Sequence, residues 1–130
     1  MEHQDTTATT IRRPPEAYWL VVRSEAGRTE AQTVDLDGWG KALAVFGFEE
    51  EAGMFSLWAS EGEWRPKKTT AKALAGMLSG PYAGVEFVAL DPLPELVSRG
   101  MASLVSLRRE HFVDRLVERA GLERAEYLAL

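Results

Sequence analysis

Residues 42–92, ALAVFGFEEEAGMFSLWASEGEWRPKKTTAKALAGMLSGPYAGVEFVALDP, decide how this 130-residue chain is read. The run ALAVF at 42–46 is apolar without alternation, the pattern of a central strand covered on both faces. Gly47 ends it. Phe48, Ala52, Phe55 and Trp58 or Ala59 then recur at spacings of four and three, which predicts a helix over 48–59 with an apolar stripe. Glu49, Glu50 and Glu51 fall in its first turn, where the helix dipole favours negative charge. Gly53 weakens this helix unless close packing needs the space. Ser60, Glu61 and Gly62 break the chain, and residues 64–68 read as a short strand whose Pro66 marks an edge or a bulge. Thr69 or Thr70 caps a second helix with Ala71, Leu74, Ala75 and Leu78 on one face, and Ser79-Gly80-Pro81 stops it. VEFVAL at 85–90 is the next buried strand, closed by Asp91-Pro92.

Working outward, AYWLVVR at 17–23 is rich in β-branched and aromatic residues and predicts a strand. A turn at Ser24-Glu25-Ala26-Gly27 leads to a second, more polar strand over 29–36, so the pair forms a hairpin with its second strand towards the sheet edge. Asp37-Gly38-Trp39-Gly40 is a further turn, with Trp39 placed to cover one end of the core. Residues 1–15, polar and closed by Pro14-Pro15, read as a flexible arm before a single domain over 16–130. From 95 onward the chain is helical in character. Val97, Met101, Leu104, Val105, Phe112 and Leu116 form a long stripe interrupted by Arg108, and Gly121 separates a short final helix over 123–128. The expected fold is α+β: a mixed sheet of about five strands, built as an N-terminal hairpin and a β-α-β-α-β unit, with a long C-terminal helix.

Composition removes several function classes. With 45% hydrophobic and 27% charged residues, the chain is an ordinary globular one. Apolar runs such as 17–22 are six residues long, against the roughly 20 that a membrane-spanning helix needs. The polar N-terminus lacks a signal-peptide core, which together with the absence of cysteine fits a cytoplasmic protein. No cysteine also means no disulfide, thiolate metal site or cysteine nucleophile. A net charge of −5 argues against nucleic acid, whose binding depends on neutralising phosphates. Only His3 and His111 are present, and no metal-ligand spacing, phosphate loop, dinucleotide fingerprint or nucleophile elbow occurs, so no metal, cofactor or catalytic residue is expected.

The pattern over 42–92 resembles the SseB-type N-terminal domain of bacteria. The shared parts are the strand ALAVF ending at Phe46, the acidic helix start Glu49-Glu50-Glu51-Ala52, the second helix from Thr70, and Leu90-Asp91-Pro92 closing the last strand. The resemblance implies an α/β or α+β domain of non-catalytic role and carries over no catalytic residues.

Three constellations could hold chemistry. Lys67-Lys68-Thr69-Thr70 at the second helix start could take a phosphate or carboxylate, or be a capped helix with solvated lysines. Gly47 and Asp91 follow two strands expected to be parallel, and ligands gather at such ends. The three glutamates nearby would restrict that ligand to a neutral or cationic one, and Asp91 could equally open the turn to Pro92. Arg108-Arg109-Glu110-His111 reads as an exposed helical surface, with His111 a conceivable acid or base lacking a nucleophile. Trp19, Trp39, Trp58, Trp64 and Tyr82 are many rings for a small domain, and rings left outside the core would mark a contact surface. The expected function is a protein-interaction or regulatory module that self-associates, or binds a protein partner, through the hairpin edge or the C-terminal helix. The alternative is a small-molecule-binding or enzymatic domain with a cleft near Gly47 and Asp91.

Overall fold

Ala26 and Gly27 both adopt positive φ, 55° and 77°, and this pair reverses the chain between β1 (Tyr18–Glu25) and β2 (Arg28–Ala31). Two successive residues at positive φ give the tight turn whose twist matches that of paired strands. The computed structural model describes residues 17–59 and 63–121. The arm over 1–15, the break at 60–62 and the short helix over 123–128 lie outside them.

The segment continues from β2 into β3 (Thr33–Leu36) as one bent strand that changes partner at Gln32. The Gln32 N–H donates to the Val21 carbonyl of β1 at 2.8 Å, and its own carbonyl accepts from the Ala44 N–H at 3.2 Å. Ala44 belongs to β4 (Gly40–Val45), which pairs with β3 across the expected turn. Trp19 and Phe46 then exchange two backbone hydrogen bonds of 2.8 Å each, joining β1 directly to the end of β4. Two sheets are thereby stitched together, β2-β1-β5 and β3-β4-β6-β7.

From β4 the chain enters helix α1 (Glu49–Trp58), returns through β5 (Arg65–Thr69), passes along α2 (Ala71–Ser79) and enters β6 (Phe87–Leu90). β4 and β6 are parallel neighbours, whereas β5 pairs antiparallel with β1 at the edge of the other sheet. The β-α-β-α-β order thus feeds both sheets. Seven short strands stand where about five were expected, because the bent segment counts as two and a further strand follows β6.

That further strand divides the stretch from 95 onward. α3 (Pro94–Ser98) stops at Gly100, which has φ 71°, and a 3-10 turn (Ala102–Val105) delivers β7 (Ser106–Arg108) to the free edge of β6. The C-terminal helix α4 (Arg109–Ala120) follows. The stripe from Val97 to Leu116 is therefore shared between three elements rather than one helix.

Two apolar layers cover the two sheet faces. On one, Leu20, Val22, Leu43, Val45 and Val88 pack under Leu74 and Leu78 of α2 and Phe112 and Leu116 of α4. On the other, Val21, Ala44, Phe46 and Ala89 pack against Ala52 and Phe55 of α1, with the Phe46 and Phe55 rings 5.4 Å apart. Residues 42–46 are buried throughout, as a strand covered on both faces must be. Each fully buried Leu, Val or Phe stabilises the fold by about 1.5–3 kcal/mol relative to exposure.

Candidate functional site

The residues singled out by sequence fall at two separate places. Gly47 and Asp91 follow the parallel strands β4 and β6 and are bonded to each other. The Gly47 N–H donates to Asp91 Oδ1 at 2.8 Å, and the Asp91 N–H donates to the Val45 carbonyl at 2.8 Å. Asp91 thus ties the two strand ends, and the tie occupies a carboxylate oxygen that a ligand there was expected to meet. Its φ of 48° is tolerated because a short polar side chain bonds locally in that conformation.

Glu51, in the first turn of α1, comes against Asp91. Burial first, then the hydrogen bond that its protonated form makes to Asp91, then the charges of Asp91 and Glu50, push the Glu51 carboxyl above its ordinary value of 4.5. The sequence presents Glu51 as one of three acids that suit the helix dipole and stand near the Gly47 and Asp91 strand ends, without singling it out. The parallel pairing of β4 and β6 is as expected, but which of the three glutamates turns to Asp91 has no local signal.

Lys67, Lys68, Thr69 and Thr70 lie elsewhere, on β5 and at the start of α2. Thr70 is the cap: its Oγ1 accepts from the Ala73 N–H at 3.1 Å. All four residues border a cleft of about 500 Å³ between the β2-β1-β5 sheet and α2. Its floor is Leu20, Val22 and Ala31, and its far wall is Ala73, Met77 and Tyr82. The hydroxyl of Tyr82 accepts from the Ala31 N–H at 2.9 Å, holding the ring across one end. Sequence reading counted Tyr82 among the surplus rings; nothing local placed it beside β2. A second hollow of about 580 Å³ at the hairpin tip is lined by Glu25, Ala26, Arg28, Thr29, Glu30 and the other side of Tyr82, with acids of its own that the first cleft lacks.

The constellation at 108–111 is structural. Arg109 donates from Nε to the Val85 carbonyl at 3.1 Å and from Nη1 to the Leu78 carbonyl at 3.3 Å, fastening the end of α2 and the following turn. Arg108 lies over the Phe87 ring at 5.8 Å, and His111 is exposed. Among the described residues no group of three or more His, Asp and Glu side chains is placed to hold a metal, and no helix is long and apolar enough to cross a membrane.

The rings divide between core and surface. Trp64 is half-buried with Arg23 over it at 4.7 Å, whereas Trp39 is exposed and meets Phe87 only edge-on. Of the exposed large apolar side chains among the described residues, four belong to α1 and its flank, and Trp39, Leu93, Met101 and Leu104 lie elsewhere. Phe48 is 61% exposed, Met54 61%, Leu57 84% and Trp58 43%. The outer surface of α4, by contrast, is charged: Glu110, Asp114, Arg115 and Glu118 are exposed. No protein-family model, no curated protein and no solved structure matches this chain.

Proposed function

We propose that this chain is a protein-interaction module that self-associates through the outward face of α1. The observation that supports this reading is that α1 exposes three large apolar side chains opposite its buried stripe, beyond the glutamates of its first turn. Ala52 and Phe55 are fully buried beneath it, while Met54, Leu57 and Trp58 project outward, with Phe48 at its entry. A surface helix of a monomer ordinarily carries polar residues opposite its buried stripe, and large apolar side chains exposed there instead mark a contact surface. A second copy covers it. The SseB-like pattern over 42–92 accords with a non-catalytic role of this kind.

The contact is modest. One helix face is smaller than the roughly 800 Å² per partner of a standard interface, so the dimer dissociates in the micromolar range or above, Kd of about 10 μM or weaker. Sedimentation equilibrium from about 10 μM to about 1 mM protein tests it. The parent chain shifts from monomer to dimer over that range, and Leu57→Glu, at an exposed position that leaves the core intact, weakens the association at least about tenfold by placing a charge in an apolar contact. A parent that stays monomeric throughout, or a Leu57→Glu variant that dimerises like the parent, overturns the proposal.

A further inference from the structure

We infer that the cleft between β5, β1, β2 and α2 is a binding site for a small amphipathic organic anion, one carboxylate on an apolar body. Strand register decides what faces it. β1 pairs Leu20 with Lys67, Tyr18 with Thr69 and Val22 with both Arg65 and Ala31, so Lys67, Thr69 and Ala31 stand on the same face as Leu20 and Val22. β1 lies between β2 and β5, which sets the Lys67 side about two strand spacings, roughly 10 Å, from the Ala31 and Tyr82 side. A ligand lying across the floor therefore meets a cation at one end, Met77 and Leu20 along its length, and the Tyr82 hydroxyl at the other. The Tyr82 oxygen accepts from the Ala31 N–H, which fixes the ring as the wall at the apolar end of the cleft.

Charge gives the ligand its sign. The chain carries −5 overall, with 20 acidic residues, yet among the described residues no acid lines this cleft. Of the chain's four lysines, Lys67 stands on the cleft face of β5, whereas Lys68, paired with Trp19, stands on the opposite face. The first turn of α2 contains no acid, and no described carboxylate is in ion-pair distance of Lys67 or Lys68. Edge strands often carry lysine to discourage pairing. That role accounts for charge on β5 but not for an apolar hollow of about 500 Å³ beside it, a size typical of small-ligand sites. The apolar floor rules out a bare inorganic anion as the best-fitting ligand, and Lys67 disfavours an amine.

Octanoate, octylamine and octanol share one apolar body and differ only in the head, so their titration into the ¹⁵N-labelled chain reads both halves of the site. Octanoate is expected to shift the amides of Leu20, Ala31, Lys67 and Met77 saturably, octanol to bind about tenfold more weakly, and octylamine to leave them unmoved. Lys67→Gln is expected to reduce octanoate affinity about tenfold while the rest of the amide spectrum stays in place, since Lys67 is exposed and unpaired with any described residue. Tyr82→Phe, which keeps the ring and removes the hydroxyl, is expected to leave octanoate affinity unchanged, because the hydroxyl stands at the apolar end of the ligand. Equal binding of octanoate and octanol, unchanged affinity in Lys67→Gln, or no saturable shift with octanoate overturns the assignment.

Discussion

Asp91 is the residue on which the join between the parallel strands turns, since it holds a left-handed backbone and takes the Gly47 N–H at once. Asn suits both tasks and removes a charge beside Glu51; Ala suits neither. Asp91→Ala is therefore expected to lose about 1–3 kcal/mol in urea unfolding, with Asp91→Asn close to the parent. Equal stability of the two variants would remove the tie from the account. Glu51 carries a pH signature of its own. Its folded-state pKa is raised, so the folded protein holds that proton more tightly than the unfolded chain. The resulting stabilisation is full below the ordinary value of 4.5 and is lost as pH rises through the raised value. Glu51→Gln is thus expected to gain stability over the parent at pH 7 and to gain less near pH 4.5; the same difference at both values contradicts the pairing. Ala26 is a third case. At φ 55° it holds a turn position that Asn or Gly adopts at lower cost, and Ala26→Asn is expected to raise stability by about 1 kcal/mol.

Among the elements, the extent of α1 is legible in its three glutamates and apolar spacing, but of the expected stripe only Ala52 and Phe55 pack on the sheet, while Phe48 and Trp58 are exposed. Gly53 within it raised the question of space, and the structure answers it. A Cβ at Gly53 meets only Pro66 Cγ at 3.9 Å, an ordinary contact. Gly53→Ala is accordingly expected to stabilise the protein by about 0.5–1 kcal/mol, visible as a raised Tm, and a loss of stability would mean that α1 packs more tightly on β5 than described. β7 was not readable. Three residues, Ser106 to Arg108, have no period to detect, and they form a strand because the edge of β6 is open to them. The 3-10 turn ahead of β7 is held by Ser106 Oγ donating to the Ala102 carbonyl at 2.9 Å. A helical stripe through this stretch is what the spacing suggests; the left-handed Gly100 is what breaks it.

For the whole molecule, the two proposed surfaces lie on opposite faces of β1. Val21 points to the α1 layer, and Leu20 and Val22 to the layer beside the cleft. They are therefore separable: Leu57→Glu should leave octanoate affinity unchanged, and Lys67→Gln should leave the monomer–dimer equilibrium unchanged. Self-association should also tighten with added salt. Each copy carries −5, with Glu49, Glu50 and Glu51 at the head of the contacting helix, so screening weakens a net repulsion while leaving apolar burial intact. Dimerisation that weakens steadily between about 0.05 and 0.5 M salt would point instead to an interface held by opposite charges.

What the amino-acid order by itself determined was local. Periodicity, turn residues and caps located the hairpin, the buried strand at 42–46, both helices of the central unit and the strand leading to Asp91, because each depends on neighbours within a few residues. Tertiary structure alone decided the rest. It sent β5 to pair with β1 instead of β4, bent the chain at Gln32 so that one segment serves two sheets, and added β7. The candidate sites followed from those choices. Lys67 meets Leu20, Tyr82 meets Ala31 and Glu51 meets Asp91 only through strand partners and registers far apart in the chain. Hydrogen-bonded pairing across such separations leaves no period in the residues themselves.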